Sequence, residues 1–120
     1  MGRILYLDDD GHLADLLAQR LGRRGHSLIA CSEVSQALGV FTASPDEFDL
    51  VLTDMSMPSG SGLEFAQALL KFRPGVRVVI ASGCEEPNWA DLARSVGVEA
   101  VLLKPFQVDE FAEAISRLLR

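Results

Sequence analysis

The sequence predicts an α/β protein with five parallel strands in one sheet and helices on both faces. Five short apolar runs can each form a buried strand: Ile4 to Leu7, Ser27 to Ala30, Leu50 to Leu52, Val76 to Ala81, and Glu99 to Leu103. Each run is followed by a segment whose apolar residues recur at three- and four-residue spacing, the period of a helix with one buried face. No repeat, linker or low-complexity tract interrupts the alternation across residues 1–120, so a single domain with one core is expected. Strands separated by helices run parallel through right-handed crossovers, and such sheets gather their sites at the strand C-termini.

Ile4 to Leu7 is the first strand and ends in the acidic run Asp8-Asp9-Asp10. Leu13, Leu16, Leu17 and Leu21 make the first helix, which Gly25 stops. Ser27 to Ala30 is a weaker second strand. Ser32 is placed to cap a second helix with an apolar face of Val34, Ala37, Leu38 and Phe41, and Ser44-Pro45-Asp46 ends it. The third strand, Leu50 to Leu52, delivers Asp54 to its C-terminal end. Ser59-Gly60-Ser61-Gly62 is then a turn, and a third helix starts at Leu63, with Ala66, Leu69 and Leu70 on its face and Pro74-Gly75 after it. The β-branched run Val76 to Ala81 ends at Ser82-Gly83. Glu85-Glu86-Pro87 opens a short fourth helix with Trp89, Leu92, Ala93 and Val96, closed by Gly97. The fifth strand leads into Lys104-Pro105, and Val108, Phe111, Ala112, Ile115 and Leu118 form the last helix.

Composition excludes several function classes. A net charge of −6 and the lack of a basic stripe with interleaved aromatics argue against direct nucleic-acid binding. Arg20, Arg23 and Arg24 end the first helix and are read as a solvated turn that compensates the helix dipole. No apolar run reaches membrane-spanning length, and with the first strand starting at about Ile4 no signal peptide is expected. The two cysteines, Cys31 and Cys84, form neither a disulfide framework nor metal-ligand spacing, so a reduced, cytoplasmic setting is expected. His12 and His26 have no evident partner in the sequence and are expected to be solvated.

The chemistry lies at the strand ends. Asp8, Asp9, Asp54, Ser82 and Lys104 each fall just beyond a strand C-terminus, so the topology lines them along one edge of the sheet. Alone, Asp54 could simply end a strand or cap a helix, and an acidic run is usually a solvated turn. Together, three carboxylates repel one another unless a divalent cation or a raised pKa relieves them. Oxygen ligands of this kind suit Mg²⁺. A lysine ammonium is a point charge suited to phosphate, a serine hydroxyl can bond a phosphoryl oxygen, and an aspartate can itself accept a phosphoryl group. The joint pattern points to phosphoryl transfer onto a carboxylate, assisted by Mg²⁺ and lysine.

These residues resemble the receiver domain of two-component response regulators over essentially the whole chain. The resemblance rests on Leu7-Asp8-Asp9, on Asp54-Met55-Ser56-Met57-Pro58 with Gly62, on Ala81-Ser82-Gly83 and on Lys104-Pro105-Phe106. In flavour the motifs look like receivers of hybrid sensor histidine kinases. The resemblance implies a flavodoxin-like (βα)5 doubly wound sheet with strand order 2-1-3-4-5, and a chain that accepts phosphate rather than turning over a substrate. It implies that Asp54 is the phosphoacceptor and that Asp9 and Asp54 ligate Mg²⁺, joined by the Ser56 backbone carbonyl and by Asp8 through water. Ser82 and Lys104 would bond the phosphoryl group. The implied partner is a histidine kinase or histidine phosphotransfer domain, with autodephosphorylation resetting the site.

The chain departs from the family at Val101, a position where an aromatic switch residue is frequent. This puts the usual aromatic switch in doubt and favours a monomer. Asp10, which extends the acidic pair, is expected to face solvent. An alternative resemblance is to haloacid-dehalogenase-type phosphatases, through Asp8-Asp9-Asp10-Gly11. There Asp8 would be the nucleophile and Asp10 the acid/base, with Ser82 and Lys104 holding phosphate; Asp54 would have no role. A third alternative is a degenerate receiver that only binds a partner.

Overall fold

The structure is a computed structural model that describes residues 2–57, 60–83, 89–103 and 107–119. Among these, the strands β1 (Arg3–Leu7), β2 (Ser27–Cys31), β3 (Leu50–Asp54), β4 (Val78–Ser82) and β5 (Ala100–Leu103) form one sheet. The helices are α1 (Gly11–Arg23), α2 (Val34–Ala43), α3 (Gly62–Phe72), α4 (Trp89–Ser95) and α5 (Val108–Leu118). All strand pairs in the sheet are parallel, in the order β2-β1-β3-β4-β5. This is the doubly wound, flavodoxin-like order expected from the sequence.

The period-two alternation of a strand explains the two-sided burial. In β1, Leu5 and Leu7 enter one cluster with Phe41 of α2, Phe65 and Leu69 of α3, and Ala93 of α4. Ile4 and Tyr6 enter the other, with Leu17 and Leu21 of α1 and Phe111 and Ile115 of α5. Because both faces are covered, the central strands read as continuous apolar runs rather than alternating ones.

Several local expectations change. Ser32 does not cap α2: Glu33 holds the cap position without a side-chain cap bond, and the Ser32 N–H donates to Gln36 Oε1 at 3.3 Å. The turn after β3 contains a small antiparallel hairpin, Ser56–Met57 paired with Gly60–Ser61, and Ser61 then caps α3 by accepting from the N–H groups of Leu63 and Glu64. Gly60 supplies the positive φ, +148°, that this hairpin requires.

His26 is not solvated but half-buried. Its Nδ1 accepts from the Gly2 N–H at 2.9 Å and its Nε2 lies 3.2 Å from Ser116 Oγ of α5. Burial, followed by the positive charges of the chain's amino terminus and Arg24, holds its pKa below the ordinary value of 6.5. The arginines at the end of α1 also do more than compensate a dipole, since Arg20 pairs with Asp109 and Arg24 with Glu113, tying α1 to α5. The α5 partners in both cases, Ser116, Asp109 and Glu113, lie about ninety residues away in sequence, and Gly2 lies 24 away. The Glu85-Glu86-Pro87 opening assigned to the fourth helix lies outside the described residues.

Candidate functional site

Parallel register builds the site. Leu7 is paired with Thr53, and Asp54 with Ala81, so Asp8, Asp54 and Ser82 emerge side by side where β1, β3 and β4 end. One carboxylate oxygen from each of Asp8, Asp9 and Asp54 lies within 4.8 Å of the others. Asp8 is buried, at 4% exposure, whereas Asp9 is exposed and Asp54 half-buried. Ser82 is buried at the end of the neighbouring strand, opposite Leu103 of β5. The expected gathering of Asp8, Asp9, Asp54 and Ser82 at one sheet edge is therefore observed. Lys104 follows directly on β5 but lies outside the described residues, as does Cys84.

Each acidic residue is held differently. Asp8 Oδ2 accepts from the Tyr6 hydroxyl at 2.5 Å, and Oδ1 accepts from the Asp10 N–H at 2.9 Å. Asp10 is exposed, as expected, but it also caps α1, accepting from the Leu13 N–H at 3.1 Å. No motif in the sequence singles out Tyr6. Its signal was a lone tyrosine in an otherwise aliphatic strand, two residues before the first carboxylate, and strand periodicity puts residues i and i+2 on one face. Burial, reinforced by the Asp8 bond, pushes the Tyr6 pKa far above its ordinary value, so the phenol remains a donor.

The backbone between Asp54 and α3 is tightly packed. The Gly62 N–H donates to the Met55 carbonyl at 2.7 Å. A Cβ on Gly62 would lie 2.9 Å from Met55 Cα and 3.0 Å from the Asp54 carbonyl carbon, and nearer still to the Asp54 oxygen. Only glycine lets α3 start this close to the acidic residue. Thr53 is fully buried, and its hydroxyl donates to the Asp54 carbonyl at 2.9 Å. Val101 is half-buried against the cluster that contains α2, α3 and α4, paired with Ile80.

Chemically, the donor set is three clustered carboxylates, one of them held at both oxygens. It fits a hard divalent cation such as Mg²⁺, which takes one or two carboxylates and retains waters. The same geometry disfavours the phosphatase alternative: the carboxylate of Asp10 is engaged in the α1 cap, and Asp8 is buried whereas Asp9 and Asp54 are more accessible.

Residues 4–116 match the family described as response regulator receiver domain. The chain belongs to this family. Receiver domains of two-component systems are phosphorylated on an aspartate, and the phosphatase alternative finds no support. The DNA-binding transcriptional regulator NtrC of Azospirillum brasilense is 32% identical over 97% of this chain, which spans 24% of that protein. Sporulation initiation phosphotransferase F of Bacillus subtilis is 27% identical over 98% of this chain and 93% of its own length. The chain thus spans only about a quarter of the first of these relatives but nearly all of the second. Among solved structures, the response regulator protein TrrA of Thermotoga maritima, in complex with Mg²⁺-BeF, superposes with a TM-score of 0.83. It is 28% identical, over 98% of this chain and 99% of TrrA. Among the described residues no helix is long and apolar enough to cross a membrane.

Proposed function

We propose that residues 1–120 act as one receiver domain in which Asp54 accepts a phosphoryl group from the phosphohistidine of a histidine kinase or histidine phosphotransfer domain. The observation that carries this is the convergence of Asp8, Asp9 and Asp54 within 4.8 Å at the sheet edge, with Asp54 more accessible than Asp8. An Asp54 carboxylate oxygen forms the new P–O bond while the P–N bond to the donor imidazole breaks. Asp9, Asp54 and the Ser56 backbone carbonyl would hold Mg²⁺, with Asp8 acting through water. When bound, the cation neutralises the shared negative charge and steadies the phosphoryl oxygens. The TrrA complex with Mg²⁺-BeF supports this reading.

The Ser82 hydroxyl donates to a phosphoryl oxygen, and the Lys104 ammonium balances the charge of the aspartyl phosphate. Attack of water on the phosphorus later returns Asp54 to its free carboxylate, so the domain resets itself but does not turn over an external substrate. In this reading the domain works in the cytoplasm beside its kinase partner, as a monomer and without contacting nucleic acid itself.

Mass spectrometry after incubation with Mg²⁺ and acetyl phosphate tests the assignment. One added phosphate on the wild type, absent from Asp54→Ala, is expected. Labelling at Asp8, or no labelling of the wild type, would overturn it.

A further inference from the structure

Tyr6 joins the acidic site to α5. It is fully buried in β1, on the face covered by α1 and α5. Its hydroxyl donates to Asp8 Oδ2 at 2.5 Å, a short, charge-assisted bond. The other Asp8 oxygen is held by the Asp10 N–H, and Asp10 is itself fixed as the cap of α1. The Asp8 carboxylate is therefore fixed in rotation as well as in position. At its other end, the Tyr6 ring packs edge to face on Phe111 of α5, with centroids 6.3 Å apart at 77°.

We propose that Tyr6 is a positioning residue that sets the Asp8 carboxylate for a divalent cation and transmits the state of that carboxylate to α5 through Phe111. The proposal rests on the assignment of Asp8, Asp9 and Asp54 to the cation site. With a cation bound, the Asp8 carboxylate would hold the phenol less strongly. The Tyr6 ring is rigid and lies in a close-packed core, so a displacement at its hydroxyl must be absorbed by its neighbours. Phe111 is the aromatic neighbour on the helix that carries this displacement outward. Val101, short and β-branched, offers no comparable lever between the site and the helices.

Tyr6 is the chain's only tyrosine, so ¹³C labelling at the tyrosine ζ carbon gives a single reporter of its hydroxyl bond. In the wild type this resonance is expected to move during a MgCl₂ titration with the same dissociation constant that calorimetry reads, and a resonance that stays still overturns the proposal. Tyr6→Phe, nearly isosteric, is expected to raise the Mg²⁺ dissociation constant about tenfold, the usual scale for losing a partner that orients a metal ligand. It should also abolish the Mg²⁺-dependent change in amide exchange across residues 108–118. Phe111→Leu should keep Mg²⁺ affinity within about twofold but reduce the α5 response. A Tyr6→Phe affinity within twofold of wild type overturns the positioning role. Equal weakening by Phe111→Leu shows that packing, not the hydroxyl, sets affinity, and overturns it too. A wild-type chain that binds no Mg²⁺ refutes the cation-site assignment itself, and this proposal with it.

Discussion

Replacing Gly62 with alanine tests whether α3 really starts against the backbone of the acidic residue. The φ of Gly62 is not positive, so alanine suits its backbone conformation. In open space the change would stabilise the protein by about 0.4–1 kcal/mol, through lower unfolded-state entropy and better helix propensity. The added methyl does not meet open space. It would lie 2.9 Å from Met55 Cα and 3.0 Å from the Asp54 carbonyl carbon, against about 3.4 Å for ordinary contact, and both neighbours are backbone. Neither can rotate aside, so β3's end and α3's start must separate. Overpacking of this kind costs about 1–3 kcal/mol, which outweighs the propensity gain. At about 2.1 cal/mol/K per residue, a chain of 120 residues has an unfolding entropy near 250 cal/mol/K, so a mid-range net loss of about 1.3 kcal/mol lowers Tm by about 5 °C. Thermal melting by circular dichroism reads the effect. The displaced Asp54 should also weaken the dependence of Tm on Mg²⁺. An unchanged or raised Tm would refute the close approach, because propensity alone predicts a rise.

Saturation with Mg²⁺ at a hundred times its dissociation constant should stabilise the wild type by about 2.7 kcal/mol. Asp9→Ala should remove most of that shift while leaving metal-free stability equal or higher, since one of three like charges is gone; an undiminished shift would exclude Asp9 as a ligand. Stability should also fall as pH drops below about 6.5, because His26 has a lowered folded-state pKa and its protonation favours the unfolded chain. Its contribution is fully present above 6.5 and lost as pH falls through the folded-state value. In His26→Gln, urea melts between pH 7.5 and 5.5 should show a flatter profile, and a slope equal to that of the wild type would discount the Gly2–His26–Ser116 contacts. Finally, adding beryllofluoride to the isolated domain at tens of micromolar should leave its sedimentation monomeric. Val101 cannot sweep a large apolar surface between two positions, and a phosphate shifts an equilibrium only by its differential free energy. A clean shift to dimer would show that Val101 does not limit output.

The strand and helix order was legible in the chain because burial on both faces imposes apolar runs on β1, β3 and β4 and three-to-four spacing on the helices between them. The strand C-termini could therefore be located, and with them Asp8, Asp9, Asp54 and Ser82 as neighbours, although Ser82 follows Asp9 by more than seventy residues. Gly62 was recognisable as part of a motif, but its reason, the approach of α3 to the Asp54 backbone, needed coordinates. The partners of polar side chains could not be read at all. His26 and Arg20 look solvated in sequence because nothing within a few residues can bond them; Ser116 and Asp109 reach them only once α5 packs against α1. Tyr6 looked like one more apolar residue of a buried strand, and only the folded chain shows its hydroxyl on Asp8 and its ring on Phe111. Local periodicity is written residue by residue along the chain and survives in the sequence. A hydrogen bond between side chains depends on where two distant segments meet and how each side chain turns, and tertiary packing alone decides that.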